Sequence, residues 1–240
     1  MKDISRLESA TTYMYFNLDR SLFQTTEYKQ EIRELFETHW FLEEIPQLNV
    51  KNEKDIFLLN SSLLYIKDNK NLFSRLFHYP LKRTGNAEVM LYLFLENSFL
   101  SNSGTSGNDI IINDVEYEIK NCVVSKKYKS QEQYYSNFKL GHSFCTRNII
   151  NNVGNYFAMI PKGSEIAEAR KDPEFLKIEE DYRDIVYQEY FSKHRMIFID
   201  KSGEIQFIGL VDRENIFIDT ITEGVIKPMI LIDDTVIKDI

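Results

Sequence analysis

Cysteine is scarce in this chain. Cys122 and Cys145 are the only two, too few for a disulfide framework and without the spacing of a zinc site. A reducing cytoplasm suits such a sequence and is the expected compartment. No apolar run reaches the length of a membrane-spanning helix. The N-terminal stretch MKDISRLESATTYMYF has no uninterrupted apolar core of the kind a signal peptide carries. Internal repeats, a P-loop and a G-x-G-x-x-G turn are missing as well, and no Ser/His/Asp or Cys/His arrangement stands out along the chain. Positive charge is the scarcer sign: 29 Lys and Arg against 37 Asp and Glu, for a net charge of −8. That balance argues against a protein that coats DNA nonspecifically. A nuclease stays open, because the distribution of charge matters more than its sum.

What is present fits a globular chain. Hydrophobic residues make up 43% and aromatic residues 13%, enough for a sizeable core. Charged residues at 28% keep it soluble without making it disordered. At 240 residues one large domain, or one domain with an appendage, is expected.

The most informative stretch is Gly107 to Asn121, GNDIIINDVEYEIKN. It reads as two short strands around an Asn113-Asp114 turn, since Asn and Asp tolerate the positive φ that two-residue hairpins need. Counting outward pairs Ile112 with Val115, Ile111 with Glu116, Ile110 with Tyr117 and Asp109 with Glu118. Alternation puts Glu116, Glu118 and Lys120 on one face and Val115, Tyr117 and Ile119 on the other. Directly opposed carboxylates have Cβ atoms roughly 5 Å apart and destabilise a sheet unless compensated. A hard divalent cation shared by Asp109 and Glu118 is the simplest compensation. Lys120, two residues on, lies within diagonal reach. A lysine beside cation-activated water is what phosphodiester hydrolysis needs, because it steadies hydroxide or phosphate charge.

Asp109 followed by Glu118-Ile119-Lys120 resembles the D…E-x-K signature of the PD-(D/E)XK, or restriction-endonuclease-like, nucleases. Asn108 stands where the family usually has proline. Glu88, in GNAEVMLYLFLENSF, sits where a preceding helix often supplies a further carboxylate. The likeness covers Thr84 to Asn121 and extends more loosely to Arg213. It implies Mg²⁺ (with Mn²⁺ able to substitute) held by Asp109, Glu118 and the Ile119 carbonyl. It implies that Lys120 orients or stabilises the attacking hydroxide, that Glu88 binds a second ion or positions Lys120, and that the product carries a 5′-phosphate. A free-standing chain of this size resembles a type II restriction endonuclease, which implies duplex DNA as partner and a homodimer matched to a palindromic site.

The segment after the E-x-K strand is basic. From Lys120 to Arg147 run Lys120, Lys126, Lys127, Lys129, Lys139 and Arg147, against Glu132 alone. Phosphates nearing the carboxylates would meet it. Lys82, Arg83, Lys126, Lys127, Lys129, Gln131 and Arg147 are the candidate DNA contacts. Amides and aromatics between Lys126 and Thr146, including Gln133, Tyr134, Tyr135 and Phe138, offer base contacts. His142 is the histidine nearest to this stretch.

Elsewhere the chain reads as an N-terminal helical region, residues 1–80, before a core over 81–240. Helices are expected from Thr26 to Glu44, including Trp40, and from Ile56 to Phe77, with a break at Asp68–Asn71. His39 and His78 read as packing residues. Another helix is expected from Asn86 to Phe99, with Glu88 in its first turn, where a carboxylate also suits the helix dipole. The second hairpin strand is expected to continue through Cys122 to Ser125. A buried strand follows at Asn155–Pro161. Asp172-Pro173-Glu174 starts a helix that runs to about His194. Strands at Met196–Asp200, Glu204–Val211 and Ile230–Val236 complete an α+β arrangement, a central mixed sheet flanked by helices. The reading from another class is a non-catalytic nucleic-acid-binding or phage–host interaction protein on the same core.

Overall fold

The computed structural model describes residues 9–10, 13–14, 17, 48–60, 81, 85–101, 108–126, 132–138, 140, 164–222 and 225–233. Within them the chain is α+β, with two sheets and a few helices. It divides into two compact units, Met1–Ile119 and Lys120–Ile240. No helix among the described residues is long and apolar enough to cross a membrane. The expected helices over Thr26–Glu44 and beyond Asn60, with Trp40, His39 and His78, lie outside the described residues, as do the expected strand Asn155–Pro161 and His142.

In the first unit, a short helix α1 (Glu53–Ile56) is closed by a capping box: Asn52 accepts from the Asp55 amide, and Asp55 accepts from Asn52. Helix α2 (Asn86–Phe94) buries Val89, Leu91, Leu93 and Phe94. The expected helix to Phe99 is therefore too long. Leu95 leaves helical geometry and bridges to Leu48, and Ser98–Leu100 forms strand β1. The apolar run LYLFL suits either structure, and backbone pairing decides where the helix stops. Strand β2 (Ile110–Ile112) pairs antiparallel with β1 and with β3 (Val115–Asn121). Ile112↔Val115, Ile111↔Glu116 and Ile110↔Tyr117 is the register counted from the sequence. The turn residues Asn113 and Asp114 have φ of 49° and 64°, as that turn requires. The hairpin is pinned from outside: Asn113 Nδ2 donates to the Val50 carbonyl at 2.6 Å, and the Tyr117 hydroxyl to Glu53 at 2.8 Å.

In the second unit, the chain does not run straight from Asn121 to Ser125. It breaks at buried Cys122, whose N–H donates to the Ile199 carbonyl, and Val123–Lys126 becomes β4. With β5 (Glu132–Ser136), β8 (Ile216–Thr222) and β9 (Val225–Asp233) it builds an antiparallel sheet in the order β4-β5-β9-β8. Helix α3 (Ser164–Ala169) leads into α4 (Pro173–Val186), capped by Asp172 with proline at its start, as the sequence indicates. The helix then widens into a π-helical turn at Tyr187–Phe191, short of the expected end at His194. Strands β6 (Arg195–Ile199) and β7 (Ile205–Gly209) form a hairpin turned at Gly203, with φ +87°. The core gathers Tyr135, Phe138, Phe175, Phe191, Phe198 and Phe207 with Ile216, Ile218 and Ile230. Tyr135 stacks on Phe198 at 5.1 Å. Tyr135 and Phe138 are thus core residues rather than base contacts, and Gln133 is buried as well.

Candidate functional site

Asp109, Glu118 and Glu88 all belong to the first unit. The β2–β3 ladder ends at Ile110↔Tyr117, and Asp109 lies one residue beyond it. Its N–H donates to the Tyr117 carbonyl at 3.0 Å. Its carboxylate Oδ2 accepts from the Ile119 N–H at 2.7 Å. In a continuing ladder a backbone carbonyl would meet that N–H; here a side chain does. Asp109 is therefore bonded to the residues on either side of Glu118, which keeps the two acids together although they are no longer a regular strand pair.

Glu118 is 7% exposed. The alternation of β3 puts Glu116, Glu118 and Lys120 on one face, opposite buried Tyr117 and Ile119. Glu116 is exposed, and Asn108 donates to it from Nδ2. Asn108 is buried and through this bond braces the hairpin face that carries Glu116 and Glu118. The Ser101 N–H donates to the Asp109 carbonyl at 3.2 Å and closes this end of β2.

Glu88 is also 7% exposed. Its Oε1 accepts from the Gly85 N–H at 2.9 Å, so it caps its own helix at the third position. The dipole reason for an acid there is met by this bond. Among the described residues no three His, Cys, Asp or Glu side chains converge as a metal-holding group.

Lys120 continues β3 as the first residue of the second unit and is half-buried. Its Nζ lies 5.9 Å from the centroid of the Tyr190 ring. Nothing in the linear sequence signals this partner, 70 residues away. Lys126 stands exposed at the end of β4. Lys82, Arg83, Lys127, Lys129, Gln131 and Arg147 lie outside the described residues. Cys122 is no nucleophile: burial, helped by the charge of Asp200, pushes its thiol up to about 12.

Comparison with protein-family models, known proteins and solved structures finds no match to this chain.

Proposed function

We propose that this protein is a Mg²⁺-dependent endonuclease on a restriction-endonuclease-like core, cutting duplex DNA at specific sites. The observation that carries the reading is the Asp109–Ile119 bond of 2.7 Å. It ties an acid at the end of one strand to the middle of Glu118-Ile119-Lys120 on the next, which supports reading D and E-x-K as one local constellation. The donors suit the ion in kind. Mg²⁺ takes hard oxygen ligands and keeps several waters, so one or two carboxylates suffice where a closed protein cage would not form. Asp109, Glu118 and the Ile119 carbonyl are the proposed holders, and Mn²⁺ would serve in place of Mg²⁺. When bound, the ion would supply Lewis-acid activation of water and neutralise phosphate charge.

The chain's own residues do the rest. Lys120, on the same face of β3 as Glu118, would meet the charge that develops on the phosphate. Glu88, anchored at the start of α2, would orient Lys120 or a second ion. Lys82, Arg83, Lys126, Lys127, Lys129, Gln131 and Arg147 would follow the DNA backbone and bases, and a homodimer would match a two-fold site.

The test is purified protein on a long duplex of known sequence, with Mg²⁺ or with EDTA, beside Lys120→Ala. Discrete fragments that need both Mg²⁺ and Lys120 are expected, with 5′-phosphate ends. DNA left intact by the wild type, together with no Mg²⁺ or Mn²⁺ binding that Glu118→Gln removes, would replace this reading with the non-catalytic one.

A further inference from the structure

Helix α4 points Phe175, Glu179, Tyr182 and Val186 into the core, at steps of four, three and four residues. An unbroken α-helix would continue that stripe through Tyr190 and turn Phe191 away. Instead the Ser192 N–H donates to the Tyr187 carbonyl, five residues back, at 2.8 Å. The extra residue in this wider turn buries Tyr190 and Phe191 side by side, at 5% and 0% exposure. Such single turns cost hydrogen-bond geometry and cluster at functional sites.

The ring that the turn presents is the one beneath Lys120, 5.9 Å from Nζ to centroid. It is itself held in place. Phe191 meets it edge-on at 5.2 Å, and His194 packs against it at 5.0 Å. A fixed ring with its negative face toward an ammonium attracts the charged lysine. It also narrows the rotamers of a side chain that otherwise has many.

We propose that Tyr190 is a positioning residue for Lys120, and that the π-helical turn exists to place its ring there. This rests on the nuclease reading, since it gives Lys120 its catalytic task. Lys120 pre-set over the ring reaches the transition state without first being ordered. Tyr190 itself touches no substrate. The role belongs to the face of the ring and not to its hydroxyl.

The experiment compares Tyr190→Phe and Tyr190→Leu in the full chain, by Mg²⁺-dependent cleavage and by NMR after ¹³C-methylation of the lysines. The methyl signal that disappears in Lys120→Arg identifies Lys120. With the ring kept, Tyr190→Phe should stay within about twofold of wild type in kcat. With the ring lost, Tyr190→Leu should lose about tenfold in kcat at nearly unchanged KM, as a cation–π contact of ordinary strength implies. The Lys120 methyl signal should move in Tyr190→Leu and stay in Tyr190→Phe. If Tyr190→Leu does not fold, fluorinated phenylalanines at position 190 drain the ring face at nearly constant size, and kcat should fall with each added fluorine. Unchanged kcat in the ring-less or most fluorinated variant, or a Lys120 signal indifferent to the ring, overturns the role of Tyr190 and leaves the nuclease reading standing. A wild type that cuts no DNA overturns both, whatever the methyl signal does.

Discussion

Two acidic places, one in each unit, use carboxylates in different ways. In the second unit Glu179, 3% exposed, is gripped by Arg170 through Nε and Nη2, the shortest contact being 2.7 Å. The same carboxylate accepts from the Ile218 N–H at 2.9 Å, and Arg170 donates to the Ile218 carbonyl. The pair thus clamps β8 where its register shifts, between Ile218 and Thr220. Arg170 and Arg183 also flank the Phe217 ring, at 5.7 and 5.1 Å. In the first unit Asp109 and Glu88 accept from the backbone N–H groups of Ile119 and Gly85. A guanidinium fork cancels a carboxylate's charge and locks it to a strand. A backbone N–H holds a carboxylate in place and leaves its charge standing. The first arrangement locks β8; the second anchors its carboxylates through backbone N–H groups, and the proposed cation site would draw on these acids.

Lys120→Ala should break the functional side of this contrast most strongly. Loss of a group that meets developing charge costs on the order of 10³-fold in rate, roughly 4 kcal/mol of barrier. Mg²⁺-dependent cleavage should fall by that order, while the melting temperature shifts by only a few degrees. Comparable losses of rate and stability would make Lys120 structural. Glu179→Ala breaks the stabilising side. It strands Arg170 and the Ile218 N–H, and removing one partner of a buried pair costs about 3–5 kcal/mol. Arg170 keeps 30% of its side chain exposed, so about 3 kcal/mol by urea unfolding is the expected loss. A loss below about 1 kcal/mol would show that the clamp is ornamental.

Asp109 sharpens the comparison, because it holds the Ile119 N–H and, in the proposed site, would also hold the ion. Asp109→Ala removes the acceptor of the Ile119 N–H and should cost about 1–2 kcal/mol. Asp109→Asn keeps an oxygen there and should recover most of that stability. Neither should cut DNA, because an amide does not replace the charge. Stability and activity measured on both variants separate the bond from the ligand.

The hairpin was legible because its determinants are local. A two-residue turn fixes the register, and alternation fixes the faces, so Ile110↔Tyr117 and the Glu118/Lys120 face could be counted. The cap of α4 was legible for the same reason. Strand β8 was not read from IFIDTIT at Ile216–Thr222, although its alternation is plain afterwards. It pairs with β9, the strand that directly follows it, but its register there shifts between Ile218 and Thr220, where the Arg170–Glu179 clamp holds it from 39 residues away. The end of α2 and the break at Cys122 are likewise set by tertiary pairing, which overrides propensity. At the candidate site, the nearness of Asp109 to the Glu118-Ile119-Lys120 strand was legible. The bond from Asp109 to Ile119 and the ring beneath Lys120 were not, because one replaces a ladder contact and the other comes from a helix 70 residues on.

Asp219 offers the smallest test, and it probes the clamp from the other side of the β8 irregularity. It is half-buried beside that register shift and accepts from the Asn137 N–H at 3.3 Å, while Lys227 donates to the Asn137 side chain. Burial raises its pKa above the ordinary 3.8, against the lowering effects of the Asn137 bond, Lys227 and Arg170. The folded state therefore binds this proton more readily than the unfolded chain does. Stability linked to Asp219 is then fully present below the unfolded pKa and is lost as pH rises through the folded one. Asp219→Asn, neutral throughout and still able to accept from Asn137, lacks that loss. Relative to wild type the variant should gain stability between acid and neutral pH. Paired melts from about pH 3 to 7 read it directly. A variant whose stability falls relative to wild type across that range would mean that Lys227 and Arg170 outweigh burial, and that β8 is held by a charge at Asp219 as well as by the pair at Glu179.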